Sequence, residues 1–174
     1  MRGRLRRFSG KLKGGDRPRF RPVSAKFAFW GMLSGTVAIL ALIETATRTG
    51  YPLLIGSFGA SSVMLFGAPD SPLAQPRNLI GGHLISALVS VLLVASLGSS
   101  PWVVALAVGL SIGAMHLTHT THPPGGATAL IGVQGHATWT FLLVPVLAGV
   151  LILLVVALFT NNIVYHRQYP KHWV

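Results

Sequence analysis

The chain has 174 residues, 51% of them hydrophobic and only 10% charged, with fourteen Lys and Arg against three acids and a formal net charge of +11. A soluble domain carries about a quarter charged residues, so this balance excludes an ordinary soluble fold and points to the bilayer. The absence of cysteine excludes disulfides, thiol nucleophiles and thiolate metal sites.

Ten of the fourteen basic residues lie between Arg2 and Lys26, opposed only by Asp16. Residues 1–26 offer neither a folded scaffold nor the interleaved aromatics that nucleic-acid binding uses, so they read as a disordered basic tail and nucleic acid is not an expected partner. The charged stretch is longer than a signal n-region, and no small-x-small cleavage site precedes Glu44, Thr45 and Arg48. The first apolar run is therefore read as a retained span.

A bilayer core about 30 Å thick needs about 20 apolar residues in helix. Four runs meet or approach that length: 27–46, 78–97, 102–117 and 139–160. Between them lie two shorter stretches, 53–68 (LLIGSFGASSVMLFGA) and 123–133 (PPGGATALIGV), apolar but rich in Gly, Ser and Thr. Both read as half-helices that enter the membrane and turn back, with a true fifth span over 53–68 as the alternative topology. Irregular backbone survives at membrane depth only where protein or water satisfies it, which makes these stretches the place to look for function. The expected fold is thus an all-α integral membrane protein over residues 27–165, with four transmembrane helices, two short re-entrant half-helices and a C-terminal tail at 166–174. Residues 59–64 can be laid on 126–131, suggesting a two-fold internal repeat; re-entrant half-helices would make the repeats parallel, with both half-helices on one side. The positive-inside rule puts both termini in the cytoplasm and the loops at 47–77 and 119–138 on the opposite side.

Small residues recur at four-residue spacing in three spans: Gly31 and Gly35, then Gly82, Ser86 and Ser90, then Ala105, Gly109 and Gly113. Such grooves let backbones approach closely, and they read as helix packing, not as ligand sites. Glu44 and Arg48 have the spacing of an ion pair, but Glu44 is also the one acid inside a span and so a candidate for proton coupling.

The densest polar cluster is His116, His119, Thr120, Thr121 and His122, running into Pro123-Pro124-Gly125-Gly126. His116 and His119 lack an accompanying carboxylate, so no metal is expected. No Gly-x-Ser-x-Gly elbow accompanies the acids, and no enzymatic activity is expected. Proline suits the first turn of a helix, so Pro123-Pro124 marks a helix start with His122 facing its entrance. Gly125, Gly126 and Thr128 would then present N–H and hydroxyl donors at the positive end of a helix dipole, which suits an anion. Ser57, Phe58, Gly59, Ala60, Ser61 and Ser62 form a parallel arrangement in the first half, starting a short helix whose N-terminus also carries free donors, with Gly59, Ser61 and Ser62 the candidate ligands. Arg77, Asn78 and His83 at the head of the second span complete the candidate substrate site, with Arg77 in need of a counter-charge.

At this point the string GSFGASSVMLFGAPDSPLAQPRNLIGGH followed by THPPGGATAL resembles the HPP family of integral membrane proteins, whose name describes His122-Pro123-Pro124. The resemblance covers residues 26–173 and leaves the basic tail outside. It implies a bundle of four transmembrane helices and, for some plastid and cyanobacterial members, nitrite transport. Gly125 stands where many members carry Ala.

The reading adopted is a transporter or channel-like permease for a small monovalent anion, nitrite first, with no cofactor. Four spans enclose little volume, so a homo-oligomer is expected in the lipid bilayer, a bacterial inner membrane first, with an organellar membrane as the alternative because an Arg-rich, acid-poor start also describes a transit peptide. The rival is a non-transporting sensor or assembly factor that uses its basic tail on lipid or a partner. A His-cluster metalloenzyme is the third reading.

Overall fold

The computed structural model describes residues 24–164 and 167–173. Most of the predicted basic tail, residues 1–23, lies outside them. Among the described residues the fold is all-helical, with α1 (Ala25–Thr49), α2 (Gly56–Ser62, continued by a π-turn over Val63–Gly67), α3 (Pro76–Leu97), α4 (Pro101–Leu117), α5 (Pro124–Gln134) and α6 (Ala148–Ile163). A 3-10 turn, Pro72–Ala74, precedes α3, and a wide π segment, Leu142–Leu147, leads into α6 through a kink at Val144 and Pro145.

Local chemistry accounts for the ends. Ser24 caps α1 by accepting from the Phe27 N–H, and Gly50 ends it with φ 73°, the left-handed conformation that glycine adopts without a Cβ penalty. Helices α3, α4 and α5 each carry proline in the first turn, where its missing N–H leaves nothing unpaired. Among the described residues three stretches are long and apolar enough to cross a membrane: Ala25–Thr49, Pro76–Leu97 and Leu142–Ile163. Helix α4, with 17 residues, is a shorter apolar helix.

The re-entrant expectation fails, and the contacts show why. Residues 50–67 leave the far end of α1 and return to the end where α1 began: Arg167 bridges the Phe27 and Phe66 carbonyls, and Phe66 O stands 3.0 Å from where a Cβ on Gly31 would lie. Residues 118–136 likewise run end to end. They start where Arg77 donates to Thr118 O (3.1 Å) and finish where Ser99 meets His136 (3.2 Å), the two ends of a 22-residue helix about 33 Å long. Neither short helix turns back: each is the helical part of a segment that runs from one end of the bundle to the other, the remainder being extended chain or π-turn.

This changes the internal relationship as well. Ser57 pairs with Thr128 and Ser61 with His122, so α2 and α5 run antiparallel. With α1, α3 and α5 in one direction and α2, α4 and α6 in the other, the halves α1–α3 and α4–α6 have opposite orientation, where a parallel repeat was expected. The loops at 47–77 and 119–138 are correspondingly not confined to one face. Arg167 joins the start of α1 to the end of α6, which brings both ends of the described bundle to the same side. Residues 167–173 are no free tail: Tyr169 is buried and donates to Ala74 O, and the Lys171 N–H donates to Gln75 Oε1. Burial pushes the Tyr169 phenol up from its ordinary value, so it remains a donor.

The small-residue grooves divide into two kinds. On α3, Gly82, Ser86 and Ser90 receive α5: a Cβ on Gly125 would lie 2.8 Å from both Gly82 O and Ser86 Oγ, and one on Gly132 would overlap Ser90. This is close approach through absent side chains, as expected where hydrophobicity gives helices no drive to associate. On α4, Ala105, Gly109 and Gly113 face outward, and nothing lies within 4 Å of a Cβ on either glycine. The contrast predicts that Gly82→Ala, whose Cβ would meet His122 Cβ at 2.5 Å, costs about 1–3 kcal/mol by overpacking, while Gly109→Ala is neutral or stabilising. Thermal unfolding of the two variants in one detergent checks this; equal midpoints would contradict it.

Candidate functional site

Helix α2 buries Ser57 and Ser61, four residues apart and therefore on one face, against α5 and α3. From α3 comes His83, and from the chain just before α5 comes His122; both are fully buried, as is Thr128 of α5. These five side chains form one hydrogen-bonded network. Ser61 Oγ lies 2.7 Å from His83 Nε2 and 2.9 Å from His122 Nε2. His83 Nδ1 lies 2.7 Å from Thr128 Oγ1, which donates to Ser57 Oγ at 2.9 Å. His122 Nδ1 donates to Leu73 O at 2.7 Å. The two imidazoles are 5.0 Å apart, and the Phe58 ring closes one side, edge-on to His83 at 5.4 Å.

Burying so many polar groups in an apolar bundle costs free energy unless each is bonded, so a connected network at this depth is a built feature. His83 is the eighth residue of α3, about 10 Å in from its start. Its position between two broken, antiparallel passes matches the arrangement in which membrane proteins place binding sites, since interrupted helices are tolerated only where their polar groups find partners.

Of the residues singled out from the sequence, Ser57, Ser61, His83, His122 and Thr128 meet here. The others do not. The Gly125 N–H is bonded to His122 O (2.8 Å) and the Gly126 N–H to Pro123 O (3.1 Å), so these donors are engaged in a tight turn, and Gly125 serves close packing against α3. Because α2 and α5 are antiparallel, their N-termini point from opposite ends, and the expected pair of helix starts on one side does not form. Gly59 and Ser62 lie on another face of α2, lining an apolar groove of about 1180 Å3 between α2 and α1, where Ser62 Oγ has no partner. Arg77 is at the rim on Thr118 O, and Asn78 donates to Thr121 O at 2.8 Å. Glu44 is exposed and paired with Arg48 at 2.5 Å, outside the network. His116 and His119 are exposed, and among the described residues no three metal-ligating side chains cluster.

One member was not singled out, the Leu73 carbonyl, because a backbone carbonyl carries no sequence signal and reaches His122 only through the fold of the turn before α3.

The fold and site define a multi-pass helical membrane protein with a buried polar centre between broken passes. The family description "HPP, transmembrane region" matches residues 20–170, and the chain belongs to that family. It is similar to two curated proteins of Dictyostelium discoideum, each named only as a transmembrane protein. One is 49% identical, with 79% of this chain and 52% of the relative covered; the other is 42% identical, with 94% and 56% covered. The chain spans about half the length of these relatives. No solved structure matches.

Proposed function

We propose that the protein is a permease for a small monovalent anion, with nitrite the first candidate because of the HPP resemblance, and that the Ser57–Ser61–His83–His122–Thr128 network is its substrate centre. The observation that carries this reading is a fully buried set of imidazoles and hydroxyls, without a carboxylate among its members, held between two broken passes. Hydroxyl and imidazole N–H donors can replace part of an anion's hydration shell, and the surrounding apolar helices exclude competing water. Arg77 at the rim, with its guanidinium on a carbonyl and no acidic partner in reach among the described residues, supplies the attraction that draws an anion toward the centre.

In this reading the six passes are six membrane crossings arranged as two inverted three-pass units, with both termini cytoplasmic by the positive-inside rule. Alternating exposure of the centre then follows from rocking one unit against the other. The outward small-residue face of α4 and the groove beside α1 serve a homo-oligomer in the bilayer.

The test is nitrite uptake into proteoliposomes. Wild-type protein is expected to raise uptake well above empty vesicles, and Arg77→Ala to lower it several-fold, more at low salt than at high salt because screening weakens a rim charge. Uptake indistinguishable from empty vesicles would sink the anion reading.

A further inference from the structure

The hydrogen bonds of the network can be counted, and the count does not close. Leu73 O can only accept, so His122 carries its proton on Nδ1. Thr128 gives its single hydrogen to Ser57 Oγ, so its contact with His83 Nδ1 is made by a proton on that ring nitrogen. Both neutral rings therefore turn an Nε2 lone pair toward the same atom, Ser61 Oγ, at 2.7 and 2.9 Å. Ser61 has one hydrogen, and the Ser57 carbonyl one turn back, at 3.1 Å, is a third acceptor for it. The backbone of α2 already satisfies that carbonyl. Two buried nitrogen lone pairs thus face one hydroxyl hydrogen, and a single added proton makes good the shortage.

We propose that Ser61 bridges His83 and His122 into a relay that holds one shared proton; its role in transport rests on the anion-permease reading, where it is the counter-charge that enters with the anion. With the proton on His122, Nε2–H donates to Ser61 Oγ and the Ser61 hydroxyl donates to His83 Nε2. Transfer breaks the His122 N–H bond as an O–H bond forms on Ser61, while the original Ser61 O–H bond breaks as an N–H bond forms on His83. Ser61 ends neutral, with its hydrogen replaced, and the positive charge has moved from one ring to the other. A proton and a monovalent anion loaded together are neutral, which removes most of the penalty of placing either charge alone at this depth.

Among the described residues no other group is positioned to take the proton. Helices α2, α5 and α6 carry no ionisable side chain. In the turn before α3, Asp70 is exposed and engaged with Lys171 at 3.1 Å; on α4, His116 faces outward; and on α3, Arg77 is occupied at the rim. Glu44 of α1 is held by Arg48.

The test is nitrogen-15 histidine NMR on the full chain in lipid nanodiscs, acidified from about pH 8 to about pH 4, with His83→Gln and His122→Gln to assign the rings. At the upper pH both rings should be neutral with the proton on Nδ1. On acidification the two Nε2 signals should move together, with a combined uptake of one proton, and Ser61→Ala should abolish the joint movement. A proton on either Nε2 at the upper pH, a ring that stays neutral throughout, or joint movement that survives Ser61→Ala overturns the relay. Nitrite-driven pH change inside proteoliposomes separates the two readings. Joint titration without nitrite flux removes the anion reading and leaves the relay standing, whereas nitrite flux without joint titration removes the relay alone.

Discussion

His122→Ala is expected to lower nitrite uptake in proteoliposomes by about 100-fold, the equivalent of losing about 2.7 kcal/mol of stabilisation at the centre. The size follows from what the ring does. It joins Leu73 O on one side to Ser61 on the other, so its removal leaves the Leu73 carbonyl without its partner and takes from Ser61 one of its two imidazole neighbours. The stranded carbonyl costs about 1–3 kcal/mol. A structural consequence follows too: the variant should unfold at a lower temperature, because a buried imidazole is replaced by a gap beside Gly82. His122→Gln retains a donor and an acceptor and should recover part of the stability with little of the uptake. Uptake at the wild-type rate in a folded His122→Ala protein would place the substrate elsewhere.

The largest expected effect on stability is at Gly149. A Cβ there would overlap the Phe58 ring, which is fully buried, and that ring in turn packs edge-on against His83. Gly149→Val should therefore cost about 3 kcal/mol or prevent folding, since the added side chain overlaps a fully buried ring that rests on His83. Phe58→Leu alone opens space and should cost about 1–2 kcal/mol. The pair is the decisive experiment. If ring and glycine compete for one volume, Phe58→Leu combined with Gly149→Ala should be more stable than the sum of the two single changes predicts, by about 1 kcal/mol or more. Additive losses in detergent unfolding would refute the shared contact. The same pair should alter uptake more than its stability warrants, because Phe58 forms a wall of the His83 site.

How the C-terminal segment is held bears on both results. Tyr169 and Lys171 fasten the turn before α3 through Ala74 O and Gln75, and that turn carries the carbonyl which orients His122. The centre is thus positioned by residues nearly a hundred positions away in sequence. No local pattern announces such a contact.

Much of this protein was nevertheless legible in the chain itself. Length, hydropathy and the scarcity of charge determined the all-helical membrane class, because a bilayer admits few other ways to satisfy a backbone. Apolar run length located the long helices, and Pro123-Pro124 marked the start of α5, since proline acts through its own dihedral preference. Ser61, His83, His122 and Thr128 stood out as polar residues in apolar surroundings. Only the tertiary structure decided which way the short segments run. A half-helix that turns back and a broken pass that continues share the same short, apolar, Gly-rich sequence, and the choice between them lies in distant partners: Phe66 against Gly31 and Arg167, Ser99 beside His136. That direction sets α2 and α5 antiparallel, separates their N-termini, engages the Gly125 and Gly126 donors in a turn, and brings two histidines from different halves of the chain onto one serine hydroxyl.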